Sequence, residues 1–254
     1  MSIKGAYLPE YGDFATAGAV NFRTRQVVQE GVVQASGGQF DTQRHLLMFS
    51  PTKEKVRTLF AAEGNYTNGP FQNDNRYLRT NLMGKMTTNL SGRDELSLTA
   101  TFHKSQWNGS GEIPLRAVTD GTIGRFGSID PSEGGNTLRS IANMNYHYDT
   151  TSGGQFFANA YGQYYRLDLF TNFTFFLNDP VNGDGIQQSD RRVMYGGDLG
   201  YKQQGNVLGL PSIGTVGFQT RSTTSMQGLG LIGREYRSGP RQTPIFMRRP
   251  MHRS

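Results

Sequence analysis

The sequence predicts an all-β chain built from one run of about nine long antiparallel strands. Three observations carry that expectation. Helical periodicity is almost absent. Apolar and polar residues alternate with period two in stretches of about ten residues. The connections between those stretches alternate between short and long. Composition agrees. Gly accounts for 33 of 254 residues and Pro for only 10; that Gly share is about twice an average protein's roughly 7%. Apolar residues reach only 35%, yet aromatics reach 11%, with 12 Tyr and 16 Phe. Disordered chains lack such aromatic content.

The elements follow in chain order. Val32–Gln39 and Arg44–Ser50 flank the short Phe40-Asp41 turn and read as a hairpin. Val56–Tyr66 and Leu78–Leu90 alternate more weakly. Glu95 to Lys104 is the clearest strand, with Leu96, Leu98, Ala100 and Phe102 on one side and Ser97, Thr99, Thr101 and His103 on the other. Ala142, Met144, Tyr146 and Tyr148 oppose Ile141, Asn143, Asn145 and His147. Phe156–Tyr165 is weaker. Val193, Tyr195, Gly197, Leu199 and Tyr201 alternate with Arg192, Met194, Gly196, Asp198 and Lys202. Gly214–Thr223 is the ninth.

Alternation alone fits a soluble sandwich as well as a membrane barrel, because each wets one face only. Strands near ten residues exceed the five or six usual in soluble sheets and match the 9–11 of a transmembrane strand. Tyr66, Tyr77, Trp107, Tyr148, Tyr164 and Tyr201 lie near strand ends, as interfacial girdles do. Ordinary aromatic packing in a β-core stands level with that reading. The connections tip the balance. Thr52–Lys55, Ser91-Gly92-Arg93, the turn 151–154 and Asn206–Ser212 fall at one end of the strands. Asn68–Arg76, Asn108–Asn136 and Thr171–Arg191 fall at the other, with Phe40-Asp41 a short exception. Outer-membrane barrels pair short periplasmic turns with longer extracellular loops. The expected fold is therefore a partial antiparallel transmembrane β-barrel whose first strand runs outward from the periplasm.

Other chemistries find little support. With no Cys, there is no disulfide framework, thiolate zinc site or Cys nucleophile. Four His residues make a His-rich metal site improbable. No run of 18 apolar residues exists that could form a transmembrane helix. The net charge of +6 and pI near 9.6 come from scattered residues. The densest group, Arg241, Arg248, Arg249 and Arg253, lies in an irregular tail, so nucleic acid is not an expected partner. Asp179, Asn182 and Asp184 suggest a calcium loop. Counted from Asp179, position three is Val181 and position twelve is Asp190, so the EF-hand pattern fails and a surface turn is favoured. The Gly-rich stretch 121–127 lacks the Lys-Ser/Thr of a phosphate loop. No catalytic triad or paired carboxylates stand in a persuasive context, so no enzyme, catalytic residue, metal or cofactor is expected. His103, His147, Arg79, Asn81, Lys85, Asn143, Asn145 and Asp198 are expected to line a hydrated interior.

Near the start, Glu10-Tyr11-Gly12-Asp13-Phe14 leads to Ala17-Gly18-Ala19-Val20-Asn21-Phe22. This resembles the end of the plug domain in TonB-dependent outer-membrane receptors, the second string being the last plug strand before the barrel. Tyr11, Gly12, Asp13, Phe14, Gly18, Val20, Asn21 and Phe22 make up the plug-end motif. Residues 37–44 resemble the family's first hairpin. Residues 178–185 with Asp190-Arg191-Arg192 resemble an outer loop of some members. Gly12 and Gly18 suit tight turns or close backbone approach inside a barrel.

The resemblance implies an organisation: the C-terminal end of a plug over 1–26, N-terminal barrel strands over 27–232 and an irregular tail over 233–254. It implies the outer membrane of a Gram-negative bacterium, contact with outer-membrane lipid, and energised uptake of a scarce extracellular solute. Outer loops 108–136 and 171–191 would set specificity, and TonB would engage only the full-length receptor. Nine strands fall short of the family's roughly 22, and an open edge is untenable in lipid. Residues 1–7 carry no signal-peptide pattern. The expectation is a receptor fragment that does not transport alone. A passive porin-like barrel, or a soluble β-sandwich adhesin or sugar-binding module, are the alternatives.

Overall fold

The computed structural model describes residues 2–4, 18–20, 22–174, 176–181 and 183–232. Two short strands, β1 (Ser2–Lys4) and β2 (Gly18–Val20), pair antiparallel with Ile3 opposite Ala19. The main sheet follows: β3 (Val32–Gly38), β4 (Thr42–Phe49), β5 (Thr52–Lys53), β6 (Val56–Thr67), β7 (Tyr77–Thr88), β8 (Asp94–Asn108), β9 (Gly134–Asp149), β10 (Gly154–Thr171), β11 (Gly185–Val207) and β12 (Leu210–Ile232). They form one ten-stranded antiparallel sheet in sequence order, from β3 at one edge to β12 at the other, with two-residue β5 paired to the start of β6. Each long strand pairs with its chain neighbour, an up-and-down meander. All nine predicted strands are present. One helical turn, α1 (Leu115–Thr119), lies in the loop between β8 and β9.

The strands outrun the alternation that predicted them. β11 and β12 each hold 23 residues. The loop between β10 and β11 therefore covers 172–184 rather than Thr171–Arg191. The reason is visible in Gln187, Gln188, Ser189 and Asp190, polar on both faces yet paired with Phe170, Leu169, Asp168 and Leu167. Backbone pairing continues where no apolar environment imposes alternation. The β11–β12 connection shrinks to Leu208-Gly209, with φ of 53° and 80°, the left-handed pair of a tight hairpin turn.

Register decides which residues share a face, because paired residues on antiparallel strands point the same way. One row reads Glu63, Asn81, His103, Arg139, Tyr165, Arg192 across β6 to β11. The adjacent row on the other face reads Ala62, Leu82, Phe102, Ser140, Tyr164, Val193. The second face is apolar, and Leu47, Phe60, Leu82, Leu98, Met144, Leu199 and Phe218 on it are exposed. Among the described residues only Leu59 and Ala117 are buried apolar side chains, and no second sheet packs on this one. A sandwich core is thus absent from the described residues.

The aromatic ends need one correction. Tyr66, Tyr148, Tyr164 and Tyr201 lie on the apolar face as expected. Tyr77 pairs with Thr67 and Trp107 with Gly135, which puts both on the polar face. A single residue of parity separates the two outcomes. Phe156 packs against Tyr201 with ring centroids 4.6 Å apart and planes tilted by 45° near the short-turn end, and Tyr164 stands eight residues further along β10. That is about 27 Å along the strand, and about 20 Å along the normal once a barrel strand's usual tilt is included, close to a lipid-facing band's height.

Candidate functional site

The polar face is where chemistry-bearing side chains converge. At its short-turn end it holds the chain segment that precedes β3. Arg57 on β6 donates through Nη2 to Glu95 Oε2 on β8 at 2.6 Å, and through Nη1 to Gln26 Oε1 at 2.6 Å. Gln26 Nε2 donates in turn to Glu95 Oε1 at 3.2 Å. Lys85 Nζ on β7 donates to the carbonyl of Thr24 at 3.3 Å and to its hydroxyl at 3.1 Å. The Val28 N–H donates to Ser50 Oγ at 2.8 Å. Residues 24–28 are thus bonded to four residues of the polar face, Ser50, Arg57, Lys85 and Glu95. Thr87, flanked by Arg57 and Ser97 in the register, is fully buried beneath this clasp and bonds Ser97 Oγ at 3.2 Å.

A second network lies further along the same face. Glu63 accepts from Arg44 Nε at 2.6 Å, Arg79 Nη2 at 3.3 Å and Asn81 Nδ2 at 3.0 Å. His103 Nδ1 bonds Asn81 Oδ1 at 2.7 Å. Asn143 Nδ2 donates to Asn159 Oδ1 at 2.8 Å, and Asp198 is opposite Asn159 in the register. The expected lining residues Arg79, Asn81, Lys85, His103, Asn143, Asn145, His147 and Asp198 all fall on this face.

At the long-loop end, loops 109–133 and 172–184 join. The Asn172 N–H donates to Glu133 Oε1 at 2.6 Å, and Asn172 Nδ2 to Asp130 Oδ2 at 2.9 Å. Burial, and the charge of Asp130, push the Glu133 carboxyl above the usual carboxylate range against the pull of that N–H. Asp184 organises its own loop: Oδ2 accepts from the Thr174 hydroxyl and the Asn178 N–H, and Oδ1 from the Asp179 N–H at 2.9 Å. Those donors hold Asp184 below its ordinary value. Its oxygens are engaged as turn anchors. Among the described residues no group of three His, Asp or Glu could hold a metal ion.

The plug-end motif is placed in part. Gly18 and Val20 lie in β2, Gly18 at φ 150° opposite Lys4, and Phe22 is 90% exposed. Tyr11, Gly12, Asp13, Phe14 and Asn21 lie outside the described residues. The wall contacts come from the following stretch, Thr24, Gln26 and Val28, which sequence reasoning missed together with Arg57 and Glu95. Their signal was faint: both wall residues keep the parity of Ser97 and Thr87 on strands already drawn.

No family model and no curated protein matches the chain in sequence. Solved structures do. The FpvAI–pyocin S2 complex aligns over 90% of this chain with a TM-score of 0.71 at 13% identity. The ferripyoverdine receptor of the Pseudomonas aeruginosa outer membrane, bound to ferripyoverdine, aligns over 91% with a TM-score of 0.65 at 16% identity. P. aeruginosa FpvA bound to a heterologous pyoverdine gives 0.69 at 16% identity. The chain has the fold of one section of a TonB-dependent receptor. It spans about a third of the length of the receptor structures it matches, 32% in each case.

Proposed function

We propose that the chain forms the first part of the wall of an outer-membrane receptor of a Gram-negative bacterium, together with the segment that ties a plug to that wall. The observation that carries this reading is the clasp: residues 24–28 are bonded to Ser50, Arg57, Lys85 and Glu95 on the polar face. On this reading residues 1–26 close a plug, with Tyr11, Gly12, Asp13, Phe14, Gly18, Val20, Asn21 and Phe22 as its end motif. Residues 27–232 are barrel strands, and 233–254 a tail. The ends with short turns face the periplasm, and loops 109–133 and 172–184 face outward. The partners are outer-membrane lipid and a scarce extracellular solute, with TonB acting through the complete receptor. The sheet's two edges, β3 and β12, must be paired by further strands in lipid, where each unpaired backbone group costs several kcal/mol. The chain by itself is therefore not transport-competent.

The absence of Cys makes a direct test clean. Single variants Leu98→Cys and Leu199→Cys on the apolar face, and Thr99→Cys and Asn143→Cys on the polar face, carry a nitroxide label after reconstitution into vesicles. The first pair is expected to be relaxed by oxygen dissolved in the bilayer, the second by a water-soluble nickel chelate. Equal accessibility to the nickel chelate at all four sites would remove the membrane reading in favour of a soluble module.

A further inference from the structure

An arginine of the polar face has nothing to hold. Arg139 on β9 is exposed and makes no hydrogen bond or ion pair among the described residues. Arg44 and Arg79 on the same face grip Glu63, Arg57 grips Glu95, and Arg192 grips Asp190. The direct cross-strand partners of Arg139 are His103 and Tyr165. The other positions around it are Thr101, Ser105, Thr137, Ile141, Gln163 and Leu167, none of them acidic. Its charge is therefore uncompensated by its own wall.

Two further donors stand beside it. The Tyr165 hydroxyl makes no hydrogen bond among the described residues. Arg192, although paired with Asp190, keeps its Nε without a partner. Arg139, Tyr165 and Arg192 are consecutive in one row over β9, β10 and β11. The two arginines thus start about 10 Å apart at the usual strand spacing and flank the phenol, a span that one small solute can bridge. Arg139 lies five residues from Gly134, the outer end of β9, about 17 Å along the strand from the long-loop end. The clasp is remote from it: Glu95 is opposite His147, eight residues further along β9, or about 27 Å.

We propose that Arg139, with the Tyr165 hydroxyl and Arg192 Nε beside it, binds an oxyanion group, carboxylate or phosphate, on the extracellular solute. The proposal rests on the receptor reading above and gives that solute a charge class. A planar guanidinium meets such a group through two parallel N–H donors, and the phenol supplies a third. A neutral solute lying on this row would strip water from Arg139 and give no counter-charge in return, which is costly.

The test uses Gln163→Cys, two residues from Tyr165 on the same face and unique in a chain without Cys. It carries a nitroxide in the full chain reconstituted into phosphatidylcholine vesicles. A neutral nickel chelate reads water access at the label, and the tris(oxalato)chromium(III) trianion reads bound anion. The trianion is expected to relax the label more than the nickel chelate does, each relative to free label. Millimolar citrate or pyrophosphate should reverse that excess at constant ionic strength, and the stronger competitor identifies carboxylate or phosphate as the group. Arg139→Gln should raise the half-saturating concentration of the trianion about tenfold, the size of a lost charge-assisted contact. Tyr165→Phe, which keeps the ring, should raise it about threefold, and Arg139→Lys should recover part of the loss. A change of about twofold or less in Arg139→Gln is what one screened charge near 10 Å gives a trianion at about 0.1 M salt, and it overturns the site. Displacement by chloride as effective as by citrate overturns it too. A label closed to the nickel chelate sinks the receptor reading and the proposal together; an open label with no anion excess sinks the proposal alone.

Discussion

Arg57 and Glu95 meet over an intervening strand: β6 and β8 are not neighbours, yet Arg57 Nη2 lies 2.6 Å from Glu95 Oε2 above buried Thr87. Gln26 bonds both partners, so a wall–wall ion pair is also the grip on the preceding segment. The pair is about a third exposed, with side-chain exposures of 32% and 33%, and such pairs contribute about 0.5–1 kcal/mol. Arg57→Ala should therefore speed hydrogen exchange at the Val28 N–H by about two- to fivefold and make trypsin cleavage after the already exposed Arg23 and Arg25 faster. Glu95→Gln keeps an acceptor for Gln26 and should have a smaller effect. An unchanged Val28 exchange rate in Arg57→Ala would mean that Ser50 and Lys85 alone hold the segment.

The high Gly content has a local cause in β11. A Cβ on Gly200 would lie 2.4 Å from the Phe157 ring and 2.6 Å from the Val216 carbonyl; one on Gly196 would lie 2.5 Å from the Thr220 carbonyl and 2.7 Å from the Tyr161 hydroxyl. Aromatic rings of β10 thus lie across bare backbone of the next strand. Gly200→Ala and Gly196→Ala should each lower stability by about 1–3 kcal/mol, as overpacking does, seen as earlier denaturant midpoints. Gly162→Ala, where nothing lies within 4 Å, should be neutral or slightly stabilising because the unfolded chain loses freedom. Phe157→Ala should rescue Gly200→Ala in part, since the flexible obstacle is then removed while the Val216 carbonyl stays.

Most of this architecture is legible in the sequence because a membrane-type sheet writes its two faces into alternate residues. Leu96 to Lys104 and Val193 to Tyr201 show it plainly. Legibility fails where the environment stops being two-sided. The outer ends of β9 and β11 carry mostly polar or Gly residues on both faces, as at Gln187 to Asp190, so those stretches look like loops. Tyr77 and Trp107 read as girdle residues by type and position near strand ends, while parity puts them on the polar face. The Gln26 clasp could not be read, because a lone Gln in an irregular stretch becomes specific only when Arg57 and Glu95 are brought to it by register.

The two outer-loop carboxylates predict opposite pH responses. Glu133 is raised by burial and by Asp130, so its ionised form disfavours the folded clasp. Lowering the pH through its folded value, still above the ordinary 4.5, should relieve the buried charge and raise the free energy of opening the loop junction, although the Asn172 N–H then bonds a neutral carboxyl. Asp184 is lowered by the Thr174 hydroxyl and backbone N–H donors. Its contribution is present above 3.8 and is lost as the pH falls through its folded value below that. Exchange at Asn172 and Asp179, corrected for intrinsic pH dependence, should therefore move in opposite directions in separate windows. Glu133→Gln should remove the Asn172 response. Asp184→Asn should expose the turn at all pH values, because one amide oxygen cannot serve three donors. A common response at both sites would show that the loops open as one unit instead.

The last prediction sets neighbouring residues against each other. Ala100 is exposed on the apolar face and Thr99 is half-buried on the polar face. In water, exposure alone would make Ala100→Lys the milder change and Thr99→Lys the more disruptive one. A bilayer reverses that order. Ala100 sits mid-way along the apolar run from Leu96 to Lys104, and a Lys near the midplane of a lipid-facing strand costs about 2–4 kcal/mol, whereas interior substitutions are tolerated. Thr99→Lys points beside Lys85 and Asn143 into the polar face, where water can solvate the ammonium. Denaturant titrations of the vesicle-reconstituted chain should show Ala100→Lys strongly destabilised and Thr99→Lys within about 1 kcal/mol of the natural chain. The aqueous order would mean that the apolar face meets solvent or another protein rather than acyl chains.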